Sequence, residues 1–174
     1  MAERYHGVAK SLHWLMALAI FGMMGLGLIM KDLPLSPEKL QYYSWHKWTG
    51  VSLFVLAGLR LLWRWTHPAP ELPASMPMLH QRLAHAGHAA LYVLMLAIPL
   101  SGWLMSSAKG VQTVWFGIWP IPDLLAKDKA LAAWLAQVHG ALNLGLGLML
   151  LAHVGAALKH HWVDRDDVLK RMLP

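Results

Sequence analysis

An apolar segment bounded by two histidines reads His139-Gly-Ala-Leu-Asn-Leu-Gly-Leu-Gly-Leu-Met-Leu-Leu-Ala-His153. On an α-helix, fourteen steps of about 100° bring the second histidine to within about 40° of the first, about 21 Å further along the axis. One metal ion cannot bind both side chains over that distance, but two flat cofactors can stack at two depths of a membrane. Because an ionisable residue is costly inside a spanning helix, we interpret both histidines as functional.

The composition is that of a membrane protein. Of the 174 residues, 57% are hydrophobic and 14% are charged, whereas a soluble domain has about 25% charged residues. The net charge of +6 comes from bases that flank apolar runs, so it indicates orientation in a bilayer and predicts no nucleic-acid partner. The absence of cysteine excludes disulfides, thiolate metal sites, iron–sulfur clusters and covalent haem attachment.

Four apolar runs are long enough to cross a bilayer. The sequence therefore predicts an all-α fold, an integral membrane four-helix up-down bundle, as a single domain over residues 1–174. The predicted helices cover about residues 11–30, 45–65, 82–107 and 131–160. We predict that residues 31–44 form a polar connection and that residues 108–130 form an interfacial segment on the bilayer.

The distribution of lysine and arginine predicts the orientation. With four spans, both termini lie on one side, which carries nine of the fifteen basic residues and all six arginines. Cytoplasmic loops are enriched in these residues, so both termini are expected in the cytoplasm of a multi-pass membrane protein.

Depth sorts four histidines into two pairs. His46 begins the second predicted helix and His139 lies early in the fourth, so both belong to the outer side of the bilayer. His13 begins the first helix and His153 lies late in the fourth, so both belong to the inner side. Each pair is placed to clamp one haem iron between two helices, with His85 and His88 as rivals of His13 at the inner level.

The charge pattern bears on the class of function. None of the four predicted spans contains Asp or Glu, whereas proton-coupled and cation transporters commonly use intramembrane carboxylates. Electron transfer through haems with two histidine ligands needs no buried carboxylate. A metal-ion transporter that uses histidine alone remains the remote alternative.

Several motifs resemble the bacterial cytochrome b561 family of di-haem four-helix membrane proteins. These are the histidines on helices one, two and four, Ser11-Leu12-His13-Trp14, Ala84-His85-Ala86-Gly87-His88, and a tail with Lys159-His160-His161 and Leu169-Lys170-Arg171-Met172-Leu173-Pro174. The resemblance covers essentially the full length and is closest to the superoxide-oxidising members. It implies two non-covalent b haems in the inner membrane, ligated by His13 with His153 and by His46 with His139.

The resemblance also implies an activity, the oxidation of periplasmic superoxide to O₂ with transfer of the electrons to ubiquinone. The alternative within the family is a cytochrome b subunit that serves a separate dehydrogenase or hydrogenase, since the haem motif does not distinguish the two. Any protein redox partner is then a separate chain.

Further residues are candidates for the remaining roles. Lys47, next to His46, is the candidate for steering the superoxide anion, although loop lysines are often merely solvated. Arg60 is a candidate partner of haem propionates or an ordinary orientation signal at a helix end. Quinone reduction needs proton donors beside an apolar slot, and the candidates are His85, His88, His160 and His161.

Overall fold

Four long helices form the protein in a computed structural model that describes residues 4–73 and 76–173. The predicted domain also contains residues 1–3, 74–75 and 174, which lie outside the described part. The helices are α1 (Gly7–Asp32), α2 (Pro37–Thr66), α3 (Met78–Ala108) and α4 (Lys129–Lys159), and a π-helical turn (His160–Asp164) continues α4. The predicted all-α four-helix fold is confirmed.

Helices α2 and α4 begin earlier than their hydropathy predicts because capping residues precede the apolar runs. Ser36 caps α2 by accepting a hydrogen bond from the backbone N–H of Lys39, and Pro37 occupies the first turn. Asp128 caps α4 by accepting from two backbone N–H groups. Such caps satisfy the free donors of a first turn. The prediction that residues 31–44 form a connection is therefore wrong from Pro37 onward, and also at residues 31–32, which belong to α1.

The bundle packs helices that follow each other in the sequence: α1 contacts α2, α2 contacts α3, and α3 contacts α4. An apolar core draws residues from all four helices, namely Met16, Ile20, Leu53, Ala57, Leu91 and Leu146. On α4, Leu146 lies halfway between His139 and His153. The apolar core therefore separates the two levels at which these histidines lie.

Three of the four helices are apolar enough to be recognised as membrane spans from length and composition in the described residues. They are α1, α3 and α4 with its π-helical turn. The remaining helix, α2, is equally long, but it carries His46, Lys47, Arg60 and Arg64, which lower its mean hydropathy. It packs between α1 and α3, so its neighbours shield part of its surface.

A small hairpin closes the end of the bundle where α3 leads into α4. Strands β1 (Val114–Trp115) and β2 (Trp119–Pro120) pair antiparallel, and the turn between them uses positive φ angles at Phe116 and Gly117. Trp48 of α2 donates its indole N–H to the carbonyl of Val114 at 2.6 Å. The predicted interfacial segment thus contains ordered structure tied to α2, and we call this side the hairpin end.

The opposite side, the terminal end, contains the first and last described residues of the chain. The last residues fold back over α1, where the indole N–H of Trp14 donates to the carbonyl of Met172 at 2.9 Å. The ammonium of Lys10 donates to the carbonyl of Leu173 at 3.2 Å, and the guanidinium of Arg171 donates to the carbonyl of Glu71 at 2.6 Å. These bonds hold the tail against the bundle one residue away from His13.

Replacement of Trp14 by Phe tests the contact between the tail and α1. Loss of the half-buried hydrogen bond to Met172 is expected to cost about 1 kcal/mol, which lowers the melting temperature of a chain of this size by about 2–4 °C. Thermal unfolding in detergent measures the change. Trp65→Phe is the matched control because the Trp65 side chain is 84% exposed, and an equal loss of stability in both variants would contradict the prediction.

Candidate functional site

The structure brings each predicted histidine pair together. At the hairpin end, the ring centroids of His46 on α2 and His139 on α4 lie 6.3 Å apart. At the terminal end, the ring centroids of His13 on α1 and His153 on α4 lie 6.2 Å apart. Helix α4 therefore contributes one histidine to each pair, and a different helix supplies each partner.

These separations fit two imidazoles on opposite faces of one metal centre. Two metal–nitrogen bonds of about 2 Å, each with about 1.1 Å from nitrogen to ring centre, place the two centroids about 6 Å apart. In addition, Nδ1 of His46 is buried and has no hydrogen-bond partner among the described residues. A buried polar nitrogen normally has a partner, so both observations suit a haem iron held by axial residues alone.

Glycines allow the hairpin-end histidines to approach the neighbouring helices. A Cβ atom on Gly27 of α1 would lie 3.5 Å from Cε1 of His46, and one on Gly102 of α3 would lie 3.3 Å from Cε1 of His139. The second distance is tighter than an ordinary van der Waals contact. Gly102 therefore gives the His139 ring the room that it uses beside α3.

Two acceptors on α3 hold the His139 ring. Its Nδ1 lies 3.1 Å from the carbonyl oxygen of Ile98 and 2.9 Å from the hydroxyl of Ser101. Because a carbonyl only accepts, Nδ1 of His139 carries the proton and Nε2 keeps its lone pair. The ring is thus oriented with a ligand nitrogen free, which is the usual arrangement of a metal-binding histidine.

The terminal-end pair has a different surrounding. The terminal nitrogen Nη2 of the Arg60 guanidinium lies 3.0 Å from Nδ1 of His13. His88 of α3 is a third histidine at this level, with its ring centroid 5.5 Å from that of His153. The 6.2 Å separation of His13 from His153 lies closer to that of the hairpin-end pair, so geometry favours His13 over His88 as the partner of His153.

A cavity of about 380 Å³ lies beside the terminal-end pair, between α2 and α3. The polar groups that line it belong to Arg64, His85, His88 and Tyr92. The Tyr92 ring lies beneath two guanidinium groups, at 5.7 Å from Cζ of Arg60 and 5.8 Å from Cζ of Arg64. The cavity thus combines apolar walls with imidazoles and cations.

The other two histidines of the predicted quinone site lie elsewhere. His160 and His161 do not line this cavity. Nδ1 of His160 lies 2.6 Å from a carboxylate oxygen of Asp166 and 3.2 Å from one of Asp164, while Lys159 pairs with Asp164 at 2.6 Å. Two of the four predicted histidines therefore line the cavity, and His160 belongs to an ion-pair cluster in the tail. Nδ1 of His161 is buried and has no hydrogen-bond partner among the described residues.

Lys47 projects at the hairpin end, next to His46. Its ammonium donates to the carbonyl of Val111 in the segment before β1, at 3.1 Å, and the side chain is half-buried. The ammonium is therefore tied to the segment before β1 at the hairpin end.

Four residues at these sites were not predicted from the sequence, namely Ser101, Gly102, Arg64 and Tyr92. The available signal for Ser101 was a hydroxyl residue inside a predicted span. That signal is weak because the hydroxyl of a serine in a helix can donate its hydrogen bond to the carbonyl one turn before it. Ser101 does so at Ile98.

Comparisons with known proteins agree with this geometry. A family model described as prokaryotic cytochrome b561 matches residues 4–174. The chain is 38% identical to cytochrome b561 homolog 2 of Escherichia coli (strain K12) over 98% of this chain and 92% of the relative. It is 29% identical to the probable superoxide oxidase CybB of Yersinia pestis over 100% of this chain and 98% of the relative. The chain therefore belongs to the prokaryotic cytochrome b561 family of membrane electron-transfer proteins, which implies a b-type haem.

Proposed function

We propose that this protein is a superoxide:ubiquinone oxidoreductase of the bacterial inner membrane that uses two non-covalent b haems. The observation that carries the proposal is the presence of two facing histidine pairs at opposite ends of one bundle, with an apolar core between them. The name of the Yersinia pestis relative, a probable superoxide oxidase, supports the choice of donor.

Four histidines would hold the haems in this proposal. His46 and His139 would ligate one at the hairpin end, and His13 and His153 would ligate the other at the terminal end. A b haem would supply one-electron chemistry at each site, where the two imidazoles of the pair would hold it. Arg60, which lies at the terminal-end pair, is the proposed partner of the propionates there.

The orientation follows from the basic residues. With the terminal end in the cytoplasm, the arginine-rich side faces inward as expected for a membrane protein, and the hairpin end faces the periplasm. Superoxide is an anion, so a cation at its approach raises the rate of encounter. The proposed steering residue is Lys47, whose ammonium bonds to the carbonyl of Val111 at the hairpin end.

Ubiquinone is proposed to bind in the cavity between α2 and α3, at the terminal end. The volume of this cavity, about 380 Å³, lies in the usual range of sites for small organic ligands. His85 and His88 line the cavity and are the proposed proton donors, with His160 and His161 of the tail as the second candidates. Two superoxide anions lose one electron each to become O₂, and ubiquinone gains two electrons and two protons.

The alternative is an electron-transfer cytochrome b subunit that serves a separate dehydrogenase or hydrogenase. It needs the same two histidine pairs but no activity toward superoxide. Rapid haem reduction by a partner protein, without faster reduction by superoxide than superoxide's own dismutation allows, would favour this alternative.

Haem stoichiometry tests the histidine assignment. The purified protein is expected to contain two b haems per chain, and His139→Ala and His13→Ala are each expected to lose one. If His13 is the ligand, His88→Ala is expected to keep both haems. His80 is exposed, so His80→Ala serves as the control and is also expected to keep both. Pyridine haemochrome spectra count the haems, and two remaining haems in His139→Ala would contradict the pairing.

A methyl group at Gly102 tests the fit of the His139 ring. Since the added Cβ would lie 3.3 Å from Cε1 of His139, Gly102→Ala is expected to displace the ring and reduce haem occupancy at the hairpin end alone. Gly155→Ala is the control, because nothing lies within 4 Å of a Cβ at Gly155. Equal haem content in both variants would show that the close approach does not matter.

Replacement of Lys47 by Gln tests the approach of superoxide. The second-order rate of haem reduction by superoxide is expected to fall by about threefold to tenfold at low ionic strength, and by less at high salt. Lys129→Gln removes an exposed charge at the same end and serves as the control. Stopped-flow spectroscopy with pulses of superoxide measures the rate, and a loss that is independent of salt would argue against steering.

A further inference from the structure

The two histidine pairs differ in what faces the Nδ1 nitrogens. At the hairpin end, Nδ1 of His139 faces two acceptors, the carbonyl of Ile98 at 3.1 Å and the hydroxyl of Ser101 at 2.9 Å. At the terminal end, Nδ1 of His13 faces a donor, the guanidinium of Arg60, at 3.0 Å. This difference has chemical consequences for any metal bound through the opposite ring nitrogen.

Acceptors at Nδ1–H make an imidazole a stronger electron donor. As the proton is drawn toward an acceptor, the ring becomes more basic at Nε2 and stabilises the more positive state of a bound metal. Ser101 also donates its own proton to Ile98 at 2.7 Å, so its lone pairs are directed to His139. Second-shell hydrogen bonding of this kind is one of the means by which a protein lowers the reduction potential of haem iron.

A cation at Nδ1 has the opposite effect. A neutral axial imidazole keeps its proton on Nδ1, and Arg60 offers that proton no acceptor. The positive charge of Arg60 also favours the less positive, reduced state of a nearby metal. None of the ion pairs among the described residues includes Arg60, so its positive charge would act on the haem at this end and offset the negative charge of the propionates that it is proposed to bind.

We propose that Ser101 with Ile98 and Arg60 act as positioning residues that tune the two haem sites in opposite directions. Ser101 and Ile98 lower the reduction potential at the hairpin end, and Arg60 raises it at the terminal end. This inference rests on the proposed function, since it requires a haem at each end.

The tuning gives electron transfer a direction. With a haem bound at each end, electron transfer from the hairpin end to the terminal end would run from the lower to the higher reduction potential. The cavity lined by His85 and His88 lies at the terminal end, where such electrons accumulate. The bundle therefore favours transfer from the hairpin end toward the quinone cavity.

Redox titration of the haem-loaded protein tests the hairpin end. The wild type is expected to titrate in two steps, and the single step that remains in His139→Ala identifies the terminal-end haem. Ser101→Ala is expected to raise the lower step and leave the upper one in place, whereas Ser101→Thr, which keeps the hydroxyl, restores the wild-type value. Ser107→Ala is the control, because Ser107 is buried on α3 but bonds to Trp103 and Leu124.

The same titration tests the terminal end. Arg60→Gln is expected to lower the upper step and leave the lower one in place, and Arg82→Gln, which removes an exposed charge from α3, is expected to change neither. The inference is overturned if Ser101→Ala leaves the lower step unmoved, if Ser101→Thr shifts it as far as Ser101→Ala does, or if Arg60→Gln raises the upper step.

Haem counts separate this inference from the proposed function. Every variant is first assayed for two haems per chain. A wild type with fewer than two haems refutes the proposed function together with the inference. If the wild type holds two haems but their reduction potentials are the same in the Ser101 and Arg60 variants, the inference alone is refuted.

Discussion

Burial of facing imidazoles in an apolar bundle is the constraint on which the rest of the structure depends. A polar ring inside a membrane is costly unless its nitrogens have partners. This chain arranges four such rings as two pairs, each spanning two helices at a separation near 6 Å. The helices, their order and their glycine contacts all serve to bring these rings opposite one another.

The shared role of α4 follows from helix periodicity. Two histidines fourteen residues apart face the same side of a straight helix at two depths, so one helix provides an axial residue at each end. The partners come from antiparallel helices, α2 at the hairpin end and α1 at the terminal end. Because Leu146 and the rest of the apolar core lie between the two levels, the sites are independent in composition and are free to differ chemically.

A different segment covers each end of the bundle, the β-hairpin at one end and the C-terminal tail at the other. The hairpin is held through the indole groups of Trp48 and Trp115, which bond to backbone or hydroxyl oxygens. The tail is held through backbone carbonyls that accept from Trp14 and Lys10. Since tail and hairpin lie beside different histidine pairs, the chain can present a separate approach to each site, one near Lys47 and one near His85 and His88.

Much of the fold was predictable because a membrane restricts the secondary structures that a spanning segment can adopt. Long apolar runs must be helices, and their alternation puts His13 with His153 and His46 with His139 at matched depths. The start of α2 was not predictable from hydropathy, since Ser36 and Pro37 lengthen the helix through capping, which is a local hydrogen-bonding effect. The hairpin was missed because strands of two residues leave almost no periodic signal.

The sequence by itself determined the number of helices and the depth of each histidine, and it left His13, His85 and His88 as possible partners of His153. Only the tertiary structure decided which groups contact each ring. Nδ1 of His139 faces Ser101 and the Ile98 carbonyl, and Nδ1 of His13 faces Arg60. Gly102 lies beside the His139 ring. The physical reason is that depth follows from position along a helix, whereas the neighbour of a ring depends on the rotation and packing of the adjacent helices, which side-chain contacts across the whole bundle determine together.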